Sequence, residues 1–288
     1  MHSVPSWAVA LDRPSAPRVP SDEATQVRKY LFRVVRNLES NVSSGSKVDL
    51  RDKTLPQLWI RCLGSALTHN TRCRTLKLSG CKIDDDQVRL LCSSMRKWSS
   101  LRHLALDNNL ITCKGAHAIF TQLSSAPLGG LMLEVCDLSF NRIGDSGARR
   151  IALTLTQHNS PVGQGLRVLL LKGNRIGDWG AGWLSLVIRN TGIGGCALEV
   201  LDVSNNPSIS LSGGLSELTM ACRQAHQTLE LDAVAISVGS GRLTVRVSLE
   251  RPMDETETAD QARILRASPS RGLIGLSDGS IGSMLSPS

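Results

Sequence analysis

The chain has few aromatic residues and no long apolar run. Only nine of its 288 residues are Trp, Tyr or Phe, whereas 42 are leucine. All-β sandwiches and barrels depend on aromatic and β-branched side chains, so this composition disfavours an all-β fold. No apolar stretch approaches the roughly 20 residues that cross a bilayer. We therefore expect no membrane-spanning helix, in a chain whose 41% hydrophobic residues can build a sizeable core.

Metal-binding and enzymatic motifs are also missing. None of the eight cysteines forms a CxxC pair or stands beside histidines at zinc-site spacing. The sequence has no P-loop, nucleophile elbow, HExxH or kinase motif set. The run Asp84-Asp85-Asp86 has the composition of a metal cluster, but it falls where Asp145 and Asp178 are expected to cap helices, so capping explains it. We expect a protein that is not an enzyme and has no cofactor or metal.

The N-terminal segment bears on the cellular compartment and on the state of the cysteines. Residues 1–20 contain four prolines and an apolar stretch of only five residues, too short for a secretory signal. We therefore expect a cytoplasmic protein whose cysteines are reduced thiols. A mitochondrial presequence stays open because of Arg13 and Arg18, although Asp12 counts against it.

A leucine-rich pattern, LxxLxLxxNxI, recurs along the chain. Copies begin at Leu101, Leu133, Leu166 and Leu198, with Cys or Val allowed at a Leu position, and an earlier copy begins at Cys73. A weaker copy surrounds residues 48–55. The second consensus positions are residues 48, 76, 104, 136, 169 and 201, at spacings of 28, 28, 32, 33 and 32. Self-similarity at a nearly fixed period is the signature of a repeat architecture.

These repeated residues carry a resemblance to a known family. Over roughly residues 45–231, about two thirds of the chain, the sequence resembles leucine-rich-repeat proteins of the ribonuclease-inhibitor-like class. The resemblance implies an α/β fold: a right-handed solenoid shaped as a partial horseshoe, with a parallel sheet on the concave side and helices on the convex side. It also implies a role as an inhibitor, regulator or scaffold, including cytoskeletal and ciliary ones.

Periodicity supports the same architecture independently. The LxL alternation points Leu104 and Leu106 to one side, as in a strand. Ala148, Ile151 and Leu155 then share one helical face. Each strand–turn–helix unit has an apolar face that only stacking on its neighbours buries. The pattern's polar column predicts a buried ladder that satisfies backbone groups, made of Cys81, Asn109, Asn141, Asn174 and Asn206.

The sequence predicts five segments along the chain. They are a disordered segment (1–20), an N-terminal capping helix (21–44), about six repeats (45–227), a strand-and-hairpin cap (228–250) and a largely disordered Ser/Gly-rich tail (251–288). Within the cap, residues 235–238 and 243–249 are expected to form a hairpin around a Gly-Ser-Gly turn. Pairing of this cap onto the last repeat would close the exposed sheet edge.

Outward strand residues are the default docking surface of such a solenoid, since stacked strands offer a wide surface at little ordering cost. The candidates are Lys77, His103, Asp107, Asp137, Ser139, Leu170, Lys172, Asp202, Ser204 and Glu230. In one predicted column Glu230 follows Asp202, so the C-terminal half is acidic. The alternative is that these polar residues only keep the sheet soluble.

Aromatic residues and long loops provide two further candidate surfaces. Phe140 precedes the ladder asparagine, where other repeats have Gly or Asn, while Trp179 and Trp183 lie one turn apart, off the consensus buried face. In a chain so poor in aromatics they could be interface anchors, or they could pack against the adjacent helix. The helix-to-strand connections at 124–130, 158–165 and 190–196 would stack on one rim, often the binding side, or be simple relaxed connections.

The leading hypothesis is a non-enzymatic scaffold or regulator that binds another protein. One alternative is a GTPase-activating regulator like the Ran GTPase-activating protein, which shares this repeat type; that family has a strongly acidic C-terminal tail, whereas residues 251–288 carry mixed charge. The other is nucleic-acid binding through residues 46–100, which hold 11 Lys/Arg against 5 Asp/Glu. That block lacks interleaved aromatics to stack bases, and a solvated basic surface would explain it equally.

Overall fold

Short strands alternate with helices along the chain. The structure is a computed structural model, and it describes residues 22–41, 46–125, 133–157, 160–191, 196–225, 227–231, 234–237 and 244–247. The strands are β1 Lys47–Asp49, β2 Thr75–Lys77, β3 His103–Ala105, β4 Val135–Asp137, β5 Val168–Leu170, β6 Val200–Asp202, β7 Thr228–Leu231, β8 Val234–Ser237 and β9 Thr244–Val247. The helices are α1 Asp22–Glu39, α2 Gln57–Thr68, α3 Asp85–Cys92, α4 Cys113–Ser124, α5 Asp145–Thr156, α6 Pro161–Gly165, α7 Asp178–Asn190 and α8 Ser216–Gln224.

Strands β1 to β6 form a parallel sheet in chain order. Their register places the second consensus positions side by side, so that Leu104 pairs with Cys136 and Leu169 with Leu201. Successive helices pack against one another on the other side of the core. The predicted α/β leucine-rich-repeat solenoid is therefore confirmed.

The consensus leucines form one continuous core between the sheet and the helices. In each repeat the middle strand residue and the residue two positions later are buried, as Leu104 and Leu106 are. The helices contribute their predicted faces, so Ile151 and Leu155 of α5 have no exposed surface. Each of strands β1 to β6 has only three residues, because the chain turns toward its helix as soon as the LxL pair is placed in the core.

Helix α1 packs against the first repeat. Leu31, Val35 and Leu38 are buried in the common core. The Tyr30 hydroxyl donates to the Asp49 carbonyl at 3.1 Å, which connects α1 to strand β1. The helix begins within one residue of its predicted start, although the expected N-cap, Ser21, lies outside the described residues.

Predicted capping holds for the acidic run but not for the aspartates of the later helices. Asp84 caps α3 by accepting from the Gln87 N–H at 2.9 Å. Asp145 and Asp178 are instead the first residues of their helices, and the N-cap positions before them are held by glycines, which have no side chain to cap the helix. The prediction that they cap their own helices is wrong, because a side chain at the first helical position does not lie over its own N-terminal N–H groups.

These aspartates bind backbone N–H groups at the start of the helical segment of the next repeat and form a second ladder. Asp145 Oδ1 accepts from the N–H groups of Gly177 (2.6 Å) and Gly180 (3.0 Å), at the start of α7. Asp85 and Asp178 make the equivalent bonds, each to the repeat that follows its own. In the remaining repeat Cys113 takes the place of the aspartate, and its Sγ lies 3.2 Å from a backbone nitrogen. Each carboxylate therefore joins consecutive repeats at their helix N-termini.

The C-terminal strands differ from the predicted hairpin. Strand β9 lies between β6 and β7 and is parallel to both. The observed hairpin is formed by β7 and β8, which are antiparallel. The prediction was wrong because hairpin patterns report only neighbours in sequence, whereas Val245 and Val247 are buried by continuing the apolar column of the repeats.

Candidate functional site

The solvent-facing side of the sheet, called the concave face below, presents the outward strand residues in regular rows. Each middle strand residue points into the core, and the residues on either side of it face outward and are partly or fully exposed. Leu169, for example, is fully buried between the outward-facing Val168 and Leu170. The concave face is therefore supported by close-packed core side chains and needs little ordering when a partner binds.

An apolar row crosses the middle of this face and was not among the predicted site residues. Val135, Val168 and Val200 are aligned on β4, β5 and β6 and are only partly buried. His103 precedes the row on β3 and Thr244 follows it on β9. The sequence signal was available, since these valines stand two positions before the acidic column. We call them the valine row.

A second row lies beside the valine row and combines carboxylates with a leucine. Asp137, Leu170 and Asp202 are aligned on the same three strands. Arg246 of β9 stands next to Asp202. Glu230 is in register with this row, but it does not directly follow Asp202 as predicted, because Arg246 of β9 lies between them.

The carboxylates of this face lie close enough to affect one another. The Asp137 carboxylate accepts from the Ser139 N–H at 2.9 Å, and Asp202 makes the same bond to Ser204. Burial raises the pKa of Asp137, and the charges of Asp107 and Asp202 raise it further, against hydrogen bonds from Ser139 that lower it. Asp107 also accepts from the Ser79 hydroxyl at 2.6 Å. Folding thus holds Asp137 in a setting that disfavours its charge.

Phe140 has a backbone conformation that is uncommon for a bulky residue. Its φ is +53°, in the left-handed region that glycine adopts at the equivalent Gly80 and Gly173. The ring is 45% exposed and lies over Gly173, where an added Cβ would stand 2.5 Å from the ring. Lys172 places its Nζ 5.9 Å from the ring centroid. The pair lies at the edge of the concave face, beside Ser139 and Ser204.

The two candidate tryptophans have different environments. Trp179, in the first turn of α7, is 78% exposed. Trp183 packs partly against the core, and the Arg149 guanidinium lies 4.9 Å from its ring centroid. Trp183 thus packs against the adjacent helix, which was the alternative to its being an interface anchor. Trp179 remains a candidate anchor, away from the concave face.

The polar column of the repeats forms a hydrogen-bonded ladder. Asn174 Nδ2 donates to the carbonyls of Leu138 (2.9 Å) and Leu171 (3.0 Å), and its Oδ1 accepts from the Ile143 N–H at 3.0 Å. Asn109, Asn141 and Asn206 make the corresponding bonds in their repeats. Cys81 donates its Sγ–H to the Leu50 carbonyl at 3.0 Å. These side chains are buried and join each repeat to the one before it.

The N-terminal part of the concave face is basic, but part of that charge is paired. Lys77 is partly exposed and His103 is exposed. Arg51 binds Asp49 through nitrogens at 2.9 Å from both carboxylate oxygens, and Arg89 pairs with Asp86 on α3. Two of the eleven basic residues of the 46–100 block therefore have carboxylate partners within the block.

The buried cysteines are unsuited to nucleophilic chemistry. Burial raises the pKa of Cys73 to about 11 and of Cys92 to about 12, and it also raises that of Cys136. Thiols with such values carry almost no thiolate at neutral pH. Among the described residues, no three His, Cys, Asp or Glu side chains come together to hold a metal ion. Over the same ranges, no helix has the length and apolarity needed to cross a bilayer.

The predicted rim loops lie largely outside the described residues. Positions 126–130, 158–159 and 192–195 are not described. Residues 160–165, expected to be loop, instead carry helix α6. This helix forms because Ser160 caps it and Pro161 occupies its first position, a place that suits proline.

Comparison with known proteins gives a family match for one of the repeats. A family model described as leucine-rich repeat matches residues 132–152, while no curated protein matches the chain. The leiomodin-1 actin-binding site 2 (ABS2) shares 21% identity over 60% of this chain and 91% of that one, with a TM-score of 0.44. The tropomodulin C-terminal domain from Caenorhabditis elegans shares 13% identity over 68% of this chain and 92% of that one, with a TM-score of 0.39.

The aligned strands, the asparagine ladder and the matched family model define the class of protein. It is an α/β solenoid built from strand–turn–helix repeats. The leucine-rich-repeat family model matches one of these units, residues 132–152, and the other units repeat its strand, turn and helix.

Proposed function

We propose that this chain is a cytoplasmic, non-enzymatic scaffold or regulator that binds another protein on the concave face. The observation that carries the proposal is the valine row. Three aliphatic side chains stand in line on a rigid sheet with part of their surface in water. Covering them with a partner removes apolar area from water, which is favourable.

The surroundings of the valine row favour a protein partner over a small molecule. The row runs across three strands, a length of about 10 Å at the usual strand spacing, and charged residues continue the surface on both sides. Small-molecule sites are concave pockets that enclose most of their ligand, whereas protein interfaces combine a flat apolar centre with a polar rim. A cytoskeletal partner is the version of this proposal that the resemblance to the repeat class implies.

Capture of partners by matched variants tests the proposal. The triple variant Val135→Thr, Val168→Thr and Val200→Thr keeps β-branched side chains on the strands but makes the row polar. The control, Leu153→Gln with Leu186→Gln, makes polar two apolar residues on the helical side that are each 41% exposed, more than the valines. Proteins captured from lysate by the wild type and quantified by mass spectrometry should be lost with the triple variant and kept with the control.

A different pattern of loss would point elsewhere. Partners that bind the triple variant normally but are lost with the helical control, or with Trp179→Ala, would contradict the concave assignment. Each variant must first show the circular dichroism spectrum and melting temperature of a folded chain, so that loss of binding is not loss of structure.

A further inference from the structure

We infer that the partner presents to the concave face a segment in which two basic side chains, three positions apart, enclose apolar ones. Asp137 and Asp202 would bind the two basic groups, and Leu170 between them would contact the aliphatic stems of those groups. The valine row, which lies to one side, would contact an intervening apolar residue that points to that side. This inference rests on the proposed function and specifies the chemistry of the bound segment.

The spacing of the carboxylates sets the spacing of the basic residues. Asp137 and Asp202 occupy the same position on β4 and β6, two strands apart, with Leu170 between them on β5. Neighbouring strands lie about 4.8 Å apart, so the carboxylates are separated by roughly 10 Å. In an extended polyproline II segment, residues i and i+3 point to the same side and are about 9.3 Å apart. A basic–apolar–apolar–basic segment lying across the strands therefore matches the row.

Each carboxylate keeps the capacity to accept from a partner. The N–H groups of Ser139 and Ser204 bond to the Oδ1 atoms of Asp137 and Asp202. An ionised carboxylate has about four acceptor sites on its two oxygens, so an arginine fork or a lysine ammonium can add to these bonds. Since Arg246 stands beside Asp202, we expect Asp137 to contribute more to binding.

Charge supports a basic occupant independently of spacing. The charges that act on Asp137 are the carboxylates of Asp107 and Asp202, which repel it. A bound cation relieves this repulsion, whereas an acidic segment would increase it. The side chains on either side of Asp137 in its row, Ala105 and Leu170, are uncharged and offer no competing positive charge.

Selection from random peptides tests the inference without a known partner. Phage-displayed peptides of about 12 residues would be panned against the full chain and, in parallel, against Asp137→Asn with Asp202→Asn. We expect the wild type alone to enrich peptides with two Arg or Lys residues three apart and aliphatic or aromatic residues between them. A synthetic copy of one selected peptide should bind Asp137→Asn at least about tenfold more weakly in fluorescence anisotropy, with a smaller loss for Asp202→Asn. The matched control, Asp86→Asn on α3, should bind like the wild type.

The outcomes separate this inference from the proposed function. Selected peptides that lack basic residues, or carry them at no fixed spacing, would overturn the inference. If such peptides bound the wild type but not the valine-row triple variant, the proposed function would stand. Peptides that bind that triple variant as tightly as the wild type would contradict both, and failure to enrich any basic peptide would overturn the inference alone.

Discussion

Replacing Asn174 by alanine removes one rung of the asparagine ladder, and the hydrogen bonds of this side chain determine how much stability is lost. The Ile143 N–H donates only to Asn174 Oδ1 and becomes unpaired in a buried position. The carbonyls of Leu138 and Leu171 lose one donor each, but each keeps a donor from a neighbouring ladder asparagine. One orphaned buried N–H costs about 1–3 kcal/mol, so the free energy of unfolding should fall by that amount.

A graded series distinguishes lost hydrogen bonds from lost volume. Asn174→Cys mimics the natural Cys81, whose Sγ–H donates to a carbonyl. The thiol should therefore still donate to a backbone carbonyl, but its sulfur accepts only weakly from a backbone N–H. Urea denaturation followed by circular dichroism, under reducing conditions, should rank the chains wild type, then Asn174→Cys, then Asn174→Ala. An Asn174→Ala chain within about 0.5 kcal/mol of the wild type would refute the ladder as a source of stability.

Three other substitutions test the remaining contacts. Cys113→Asp should raise the melting temperature, because it places a carboxylate where Asp145 serves the next repeat, a gain of about 0.5–1 kcal/mol; an unchanged temperature would contradict the second ladder. Asp137→Asn should stabilise the chain at pH 7 but not at pH 3. Folding raises the pKa of Asp137, so the ionised carboxylate destabilises the folded chain. This loss of stability is absent below the ordinary pKa of 3.8 and develops as the pH rises through the folded pKa. Equal effects at both pH values would contradict that cause. Leu169→Ala should cost about 2–5 kcal/mol, whereas Val168→Thr next to it should cost less than about 1 kcal/mol, and similar losses would contradict the alternation of buried and outward residues.

The sequence was sufficient to predict the repeated architecture. The LxL pair and the asparagine are specified by burial within each repeat, so their spacing alone places β2 to β6 in register. Contacts between repeats were harder to foresee. Local sequence rules predict that Asp145 caps its own helix. It instead accepts from the backbone N–H of Gly177, 32 residues later at the start of α7.

The ends of the sheet and the candidate site depended on contacts that local patterns do not contain. Strand β9 follows β7 in the chain but lies between β6 and β7 in the sheet, and this placement puts Arg246 between Asp202 and Glu230 in the row. The valine row follows from the same period of two that predicted the strands, but valines read as core residues until the structure shows which side they face. The partner's chemistry can be inferred only after carboxylates and valines are placed on neighbouring rows.

Charge reversal on the concave face, with a matched reversal on the helical side, tests the central claim most directly. Asp137→Lys with Asp202→Lys changes the net charge by the same amount as Asp86→Lys with Glu217→Lys, whose carboxylates lie on α3 and α8. The affinity of each chain for a captured partner would be measured by biolayer interferometry, after melting curves establish that both are folded. The account predicts that binding is lost only with the concave pair, because basic groups of the partner would meet lysines. Equal affinity of the two pairs, or loss with the helical pair alone, would contradict a concave binding face.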